Sequence, residues 1–222
     1  MLTLIAMAHL STLAAADAYG GTVYVKPPTE AVRLTSEAVT FTITQEGVSV
    51  EARYMFKNLT DADVPLMLVL PLFAQNTNRS FSRNQFARLS ATWDKETLVF
   101  AEPPEAAQIN ELATTYEKPF VASVTFRAKA THVLRVQFSV QPGKDDLHRF
   151  IAWRTAGGAA WAERVERADY AFKYDTKTVF HVVGIEPMWG WQWGQTGAYV
   201  KRSNFEPTAG EEFRFRYYPP DF

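Results

Sequence analysis

Three tryptophans at alternate positions of one short segment are the most unusual chemical feature of the sequence. Segment 188–194 reads MWGWQWG and contains Trp189, Trp191 and Trp193, half of the six tryptophans in the chain, and Tyr199 follows shortly after. Aromatic rings with a polar N–H or O–H group are suited to binding sugars or peptides when they are displayed at a surface. The segment therefore predicts a ligand-binding platform formed by these four residues.

The same spacing is also typical of a strand on which alternate tryptophans cover the core while one of them faces solvent at an edge. Large aromatic side chains are more often packed than displayed, which favours this second interpretation. The two interpretations differ in what Trp191→Ala should do. It abolishes ligand binding if the platform exists, and it lowers stability if Trp191 is part of the core.

Carboxylates close to the tryptophan segment leave a carbohydrate-active hydrolase as the alternative function. Such an enzyme needs two carboxyl groups roughly 5 to 9.5 Å apart, and neighbours in sequence such as Glu211 and Glu212 are equally typical of a solvated surface. The motifs G-x-S-x-G, H-E-x-x-H and G-x-G-x-x-G and the P-loop do not occur in the sequence. We therefore predict no catalytic residue and favour a non-enzymatic binding or structural protein.

Metal-ligating residues are sparse and scattered. The four histidines lie far apart in the chain, at positions 9, 132, 148 and 181. Asn58, Asp61 and Asp63 could offer oxygen atoms to calcium, but these residue types in this arrangement are also those of an ordinary turn between two strands. The sequence predicts no metal site and no cofactor.

The strands that would position these residues are predicted most clearly between residues 39 and 73. Val39, Phe41 and Ile43 alternate with threonines, which is the pattern of a strand with one buried face. Gly47 suits the following turn, and alternation resumes over 48–57 to complete a hairpin. Segment 64–73 is apolar on both faces and predicts a central strand, with Pro65 and Pro71 marking its ends.

Two later segments differ from this pattern. Residues 75–88 are polar and weakly periodic, which predicts a long loop that is either functional or a plain solvated connection. Apolar residues then recur at helical spacing at positions 109, 112, 113 and 116, after a pair of prolines. This spacing predicts one short helix near 104–116.

About a dozen short strand candidates, without alternating helices, predict an all-β fold, an antiparallel β-sandwich of immunoglobulin-like architecture. The strongest turn signal of the second half, Pro142-Gly143, suggests a boundary. We expect two packed sandwich lobes: an N-terminal lobe over residues 19–142, which includes the helix, and a C-terminal lobe over residues 143–222.

Residues 1–18 are expected to be a signal peptide. Their apolar stretch is too short for a comfortable membrane span and ends in the A-x-A pattern of Ala16, Asp17 and Ala18, although no Lys or Arg precedes it. This leader predicts a secreted or periplasmic protein of the bacterial cell envelope, with no integral membrane span in the mature chain. The absence of cysteine excludes thiol catalysis and cysteine-based metal sites.

Composition also limits the partners. The chain has 23 basic and 24 acidic residues, a formal net charge of −1, and 47% hydrophobic residues. It therefore has enough apolar surface for a real core and no basic excess with which to bind nucleic acid. Possible partners are a glycan or a protein, and a partner-binding subunit with an exposed strand edge is a third class of function.

Several segments resemble known proteins. The strand, turn and strand of VSVEARYMFKN and PLMLVLPL, then RFIAWRTAGGAAWAERVERADYAF, and the closing NFEPTAGEEFRFRYY resemble an exported bacterial family known as domain of unknown function 4424. More loosely, the chain is similar to the vault/inter-alpha-trypsin sandwich domain. The resemblance implies an exported β-sandwich and carries no catalytic residue. Phe73 departs from the Pro-Leu-Pro that is more usual in the family-like segment.

Overall fold

A computed structural model describes residues 17–75, 87–102, 107–110, 115–145 and 147–220 of the 222-residue chain. These residues form strands and one short 3-10 helix, Ala156–Ala160. The strands are β1 (Asp17–Gly21), β2 (Tyr24–Val25), β3 (Val32–Thr44), β4 (Gly47–Asn58), β5 (Val64–Gln75), β6 (Ala87–Trp93), β7 (Glu96–Leu98), β8 (Ala107–Asn110), β9 (Thr115–Phe126), β10 (Thr131–Val140), β11 (Gly143–Asp145), β12 (His148–Arg154), β13 (Val165–Lys173), β14 (His181–Glu186), β15 (Gln192–Gly194), β16 (Gly197–Phe205) and β17 (Glu212–Tyr218). The predicted all-β sandwich is confirmed.

Two sheets form the layers of the sandwich. The nine-stranded sheet has the order β14-β17-β12-β1-β5-β9-β8, with β11 beside β12 and β2 beside β5. The eight-stranded sheet has the order β15-β16-β13-β3-β4-β10-β6-β7. Neighbouring strands are antiparallel except in the pairs β1–β12 and β3–β13, which are parallel. Both sheets are therefore mixed rather than purely antiparallel as expected, because the intervening strands supply the long connections that parallel neighbours need.

These parallel pairs also join the two halves of the chain. β1 and β3 precede the boundary predicted at residues 142–143, whereas β12 and β13 follow it. Strands from both halves thus lie side by side in each sheet. The lobes expected over 19–142 and 143–222 share both layers of the sandwich.

The hairpin predicted around Gly47 is present as β3 and β4, paired from Val32↔Asn58 to Thr44↔Gly47. The central strand predicted to follow this hairpin is β5. It lies in the opposite sheet, where it pairs with β1, β2 and β9. Pro65 is the second residue of β5 and lies at the start of the strand as predicted, whereas Pro71 lies in its interior. Pro71 falls between the stretches paired with β1 and with β2, so its missing N–H faces a gap in the neighbouring strands.

The helix predicted near 104–116 is wrong where the structure describes that segment. Ala107–Asn110 forms strand β8, which pairs with β9, and β9 itself begins at Thr115. The open edge of β9 offers backbone hydrogen bonds to this segment, and such tertiary pairing overrides a helical spacing of only four apolar residues. Residues 103–106 and 111–114 lie outside the described residues.

Two other predictions fall mostly outside the described residues. The leader is described only at Asp17 and Ala18, whose backbones pair with Gln75 and Ala74, so its cleavage stays a prediction. The loop predicted at 75–88 is described only at its two ends. Within the described residues, the one helix is the short 3-10 segment, which is far too short to cross a membrane.

Aromatic side chains fill the space between the sheets. Phe41 of β3 stacks on Phe172 of β13, with 4.8 Å between ring centroids, and meets the edge of Trp153 of β12 at 5.5 Å. Phe172 in turn stacks on Phe215 of β17 at 4.5 Å. All four rings are fully buried. Burial of each phenylalanine contributes about 1.5–3 kcal/mol, so these contacts are a main source of cohesion between the layers.

One carboxylate is enclosed in this core. A bulge between Leu34 and Ser36 changes the phase of β3, so that Glu37 points inward together with Val39. Glu37 accepts hydrogen bonds from Thr22 Oγ1 at 2.7 Å and from the Tyr170 hydroxyl at 3.0 Å. Burial raises the pKa of Glu37 to about 7, although these hydrogen bonds act in the opposite direction.

Candidate functional site

Trp189 and Trp191 of the tryptophan segment pack against the core. Trp189 is partly buried, contacts the ring of Phe213 at 5.6 Å, and is covered by the guanidinium of Arg202 at 4.7 Å. Trp191 is only 9% exposed, packs against Phe213 at 5.4 Å, and donates its indole N–H to the carbonyl of Pro187 at 3.2 Å. These two rings extend the hydrophobic core instead of lining a binding surface.

Trp193 and Tyr199 are exposed, at 52% and 44%, but they lie on opposite faces of the eight-stranded sheet. Trp193 is paired with Ala198, which faces the core, whereas the outward Tyr199 is paired with Gln192 and hydrogen-bonded to its side chain. The structure therefore does not bring the four predicted residues together on one surface. It reproduces the alternative pattern, in which two tryptophans cover the core and the third faces solvent.

Asn58 stabilises the turn that contains the three candidate calcium ligands. Its side-chain amide is fully buried and donates to the carbonyls of Ala62 and Phe126, both at 2.9 Å. Its Oδ1 accepts hydrogen bonds from the backbone N–H and the hydroxyl of Thr60, both at 2.8 Å. All of its polar atoms are thus used within the protein, which is the behaviour of a turn residue.

The histidines serve different parts of the fold. His132 is buried, contacts Asp94 through Nδ1 at 2.5 Å, and accepts the backbone N–H of Arg127 at Nε2, so Nδ1 carries the proton. The rings of His148 and His181 both contact Tyr218. Within the described residues, no group of three or more potential ligands is arranged to hold a metal ion.

Two adjoining depressions lie on the outer face of the eight-stranded sheet. A cavity of about 500 Å³ and a second of about 480 Å³ share Ser90 and Gln137 and run along β4, β10 and β6. We call the two together the outer trough. The side chains that line it include Thr40, Glu46, Ser49, Glu51, Arg53, Arg88, Ser90, Thr92, Arg135, Gln137 and Gln141. From Gly47 to Arg53 the trough follows seven residues of β4, a length of about 20 Å.

Strand alternation explains why these residues meet. Val50, Ala52 and Tyr54 of β4 are buried, so the intervening Glu51 and Arg53 project outward. The same phase on β10 projects Arg135 and Gln137. Direct pairing then places Arg53 opposite Arg135 and Glu51 opposite Gln137. Small neighbours flank the arginines, Ala38 on β3 and Thr92 on β6, and this difference in side-chain size forms the depression.

Three charged side chains of the outer trough have no partner among the described residues. Within the described residues, Arg53, Arg135 and Glu51 make no side-chain hydrogen bond or ion pair. Like charges directly opposite each other destabilise a sheet, so the arginine pair is unfavourable without an anion beside it. Arg88, with a φ of 60°, adds a third arginine at the other cavity.

This arrangement offers polar groups to a ligand. Two carboxylates border the trough, Glu51 at the 500 Å³ cavity and Glu46 at the 480 Å³ cavity. The arginines, the amide of Gln137 and the hydroxyls of Thr40, Ser90 and Thr92 provide donors and acceptors for a polar, negatively charged ligand.

Sequence reasoning placed Glu51 and Arg53 on the solvent face of their strand without assigning them a role. The signal for the trough lies in the alternation of β4 and β10 taken together, and it becomes visible only when the pairing of these two strands is known. None of the four surface cavities described, which have volumes of about 310–500 Å³, is lined by Trp189, Trp191 or Trp193.

Comparison with known proteins identifies the fold. No protein-family model and no curated protein matches the sequence. A Legionella pneumophila protein described as a "putative nutrient binding protein" has a similar structure, with a TM-score of 0.71 and 14% identity over 92% of this chain and 72% of that one. An M1 zinc metallopeptidase from Deinococcus radiodurans gives a TM-score of 0.42 at 7% identity, over 86% of this chain and 43% of the peptidase. The Legionella likeness shows a shared fold, and the peptidase likeness is too weak to support an argument.

Proposed function

We propose that this protein is an exported, non-enzymatic binding module of the bacterial cell envelope, and that the outer trough binds an acidic glycan chain. The observation that carries the proposal is the pair Arg53 and Arg135, directly opposed in the trough and without an acidic partner among the described residues. The similar fold of the Legionella protein is compatible with a binding role. The predicted leader supports export.

The charges favour an acidic ligand over a neutral one. Arginine presents a planar set of donors that matches a carboxylate, and hydrogen bonds between charged groups are stronger than neutral ones. A carboxylate placed between Arg53 and Arg135 would also relieve the repulsion between them. The hydroxyl and amide groups along the trough would bind sugar hydroxyls.

The shape favours a chain over a compact molecule. The two cavities are continuous at Ser90 and Gln137 and follow the strand direction, so an extended ligand of several sugar units fits along them. Arg88 lines the second cavity, where it would bind another acidic unit of the same chain.

Isothermal titration calorimetry tests this function with three probes: a hexamer of galacturonic acid, the neutral hexamer of galactose, and a hexaglutamate peptide. We expect the galacturonic acid hexamer to bind most tightly. The double variant Arg53→Gln/Arg135→Gln should bind it at least roughly tenfold more weakly, since each lost charged hydrogen bond removes more than 1 kcal/mol.

Arg127→Gln is the matched control, because Arg127 is exposed but does not line the trough. Equal binding of the acidic and neutral hexamers would contradict the role of the arginines. Tight binding of hexaglutamate alone would instead assign the surface to an acidic protein partner. Shortened sugars in the mixture after titration would contradict the non-enzymatic assignment.

A further inference from the structure

A separate recess lies on the outer face of the nine-stranded sheet. It has a volume of about 310 Å³ and lies between β2, β5, β9, β12 and the 3-10 helix. Its lining combines one cation and one anion, Arg154 and Glu117, with the phenol of Tyr24 and a mainly apolar remainder. Such a combination is typical of a site for a small molecule, in which a few polar groups orient a ligand among apolar walls.

Among the described residues, Arg154 has no acidic partner in this recess. Its guanidinium lies over the ring of Phe73, 5.0 Å from the centroid. Glu212 is directly opposite Arg154 on β17, but the Glu212 carboxylate binds Arg214 at 3.0 Å instead. Within the described part of the chain, the Arg154 side chain makes no ion pair and no hydrogen bond, and its donors remain available.

Glu117 faces the same recess from the other side. It is paired directly with Phe73 across β5 and β9, so both side chains lie on the same face of the sheet. One of its oxygens accepts the hydroxyl of Tyr24 at 2.6 Å. Burial, with the added effect of Glu117, raises the pKa of Tyr24 above its usual range, so the phenol stays a donor. Among the described residues, no cation forms an ion pair with Glu117.

The sheet sets the distance between the two charges. β12 and β9 are separated by β1 and β5, so the backbones of Arg154 and Glu117 are three strand spacings apart, or about 14 Å. Arg154 reaches toward β5, because its guanidinium lies over the ring of Phe73. Glu117 is paired directly with Phe73 on the other side, so both charged residues border the recess at Phe73, and no ion pair is formed between them.

Two glycines fix the walls of the recess. A Cβ atom at Gly21 would lie 2.9 Å from the ring of Phe73 and 2.8 Å from the carbonyl oxygen of Arg154. A Cβ atom at Gly157, in the 3-10 helix, would lie 2.2 Å from the carbonyl oxygen of Thr22. Only glycine permits these approaches, so the backbone around Arg154 and Phe73 is held in a close-packed arrangement.

We propose that this recess binds a small zwitterion of the α-amino acid class, with the ligand carboxylate on Arg154 and the ligand ammonium on Glu117. Pro71, Ala156 and Ala160 provide an apolar surface for the ligand side chain. The ligand carboxylate would supply the anion for Arg154 and the ligand ammonium the cation for Glu117, since neither residue has an ion-pair partner among the described residues. The site is independent of the outer trough, since it lies on the other sheet.

Calorimetric titration with three related probes tests the assignment: L-leucine, L-leucinamide, which lacks the carboxylate, and N-acetyl-L-leucine, which lacks the ammonium. We expect L-leucine to bind at least tenfold more tightly than either derivative. In Arg154→Gln, the preference for L-leucine over L-leucinamide should disappear. In Glu117→Gln, the preference over N-acetyl-L-leucine should disappear.

Arg154→Lys and Glu96→Gln are the controls. Arg154→Lys retains the charge and should keep a preference for L-leucine, which separates recognition from any effect on folding. Glu96 is exposed on β7 of the other sheet and lines none of the cavities described, so Glu96→Gln should bind all three probes like the wild type. Equal affinity of the wild type for the three probes, or no binding of any of them, would overturn the proposal.

Discussion

The hydroxyl of Tyr170 donates a hydrogen bond to Glu37 Oε2 over 3.0 Å in the interior of the sandwich, where the described residues provide no cation for this carboxylate. Thr22 supplies the second donor, from the opposite sheet. The contact therefore links the two layers through a group that ionises near neutral pH, and the stability of the protein should depend on that ionisation.

The stability of the sandwich should fall as the pH rises from about 4.5 to about 7. The folded-state pKa of Glu37 is about 7 and its ordinary value is 4.5, so over this range the folded state holds a proton that the unfolded state has lost. The full effect is about 3 kcal/mol, present below pH 4.5 and lost above pH 7. Glu37→Gln should remove this part of the pH dependence in denaturant titrations at pH 4.5, 6 and 7.5.

The exposed Glu46 provides the control for this measurement. Glu46→Gln should leave the difference between pH 4.5 and 7.5 as it is in the wild type. If Glu37→Gln and the wild type show the same pH dependence, Glu37 is not the titrating group.

Trp191→Ala should lower the free energy of unfolding by about 3 kcal/mol, because it removes a buried ring packed on Phe172 and Phe213 and leaves a cavity. Trp193→Ala should change it by less than about 0.5 kcal/mol, since this ring is half exposed. Urea denaturation followed by circular dichroism measures both. Equal stability of the two variants would show that Trp191 does not contribute to the core.

Asn58→Ala should destabilise the protein by about 3 kcal/mol, since the carbonyls of Ala62 and Phe126 and the N–H of Thr60 lose their partner in a buried site. The neighbouring Asp61 is exposed, and Asp61→Ala should be nearly neutral. Thermal unfolding of the two variants compares them directly. A small effect of Asn58→Ala would mean that water replaces the amide in the turn.

Arg53→Glu should stabilise the unliganded protein by about 0.5 kcal/mol at low salt, because it replaces a repulsive pair with an ion pair to Arg135. The gain should shrink in 0.5 M NaCl, where the interaction is screened. The same change should abolish binding of the galacturonic acid hexamer. A loss of stability at low salt would show that the arginines are not in repulsive contact.

Expression of the full chain in a Gram-negative host should deliver the protein to the periplasm with Tyr19 as its first residue. Intact-mass measurement of the periplasmic fraction identifies the cleavage site. Cleavage there would leave Tyr19–Gly21 in β1, including the pairing of Gly20 with Trp153. Recovery of the uncleaved chain from the cytoplasm would contradict the predicted leader.

Local sequence signals were sufficient for the parts of the fold that form between neighbours. The alternation from Val39 to Phe56 and the turn at Gly47 predict the β3–β4 hairpin, because strand period and turn chemistry act over a few residues. Local signals do not predict that β5 lies in the other sheet, or that β1 and β3 have parallel partners. These placements depend on pairing with segments that are distant in the sequence. The same limit hid both candidate sites, since long-range pairing places Arg53 opposite Arg135 and brings Arg154 and Glu117 to one recess.

The tryptophan segment shows a different limit. Its composition predicted a binding platform of four residues, Trp189, Trp191, Trp193 and Tyr199. Composition does not show, however, which face of a strand packs against the partner sheet. The three tryptophans at alternate positions share one face, so alternation alone does not show that Trp193, in the edge strand β15, is more exposed than Trp189 and Trp191.

The parallel pairing of β3 with β13 has a consequence for biosynthesis. Ser36 meets Arg167, so the partners are about 130 residues apart, and contacts of such separation form slowly. Until β13 emerges, the nascent chain carries an unpaired edge on β3 in the middle of the future sheet, which is a template for association with other chains. Premature termination before residue 165 should therefore yield aggregates.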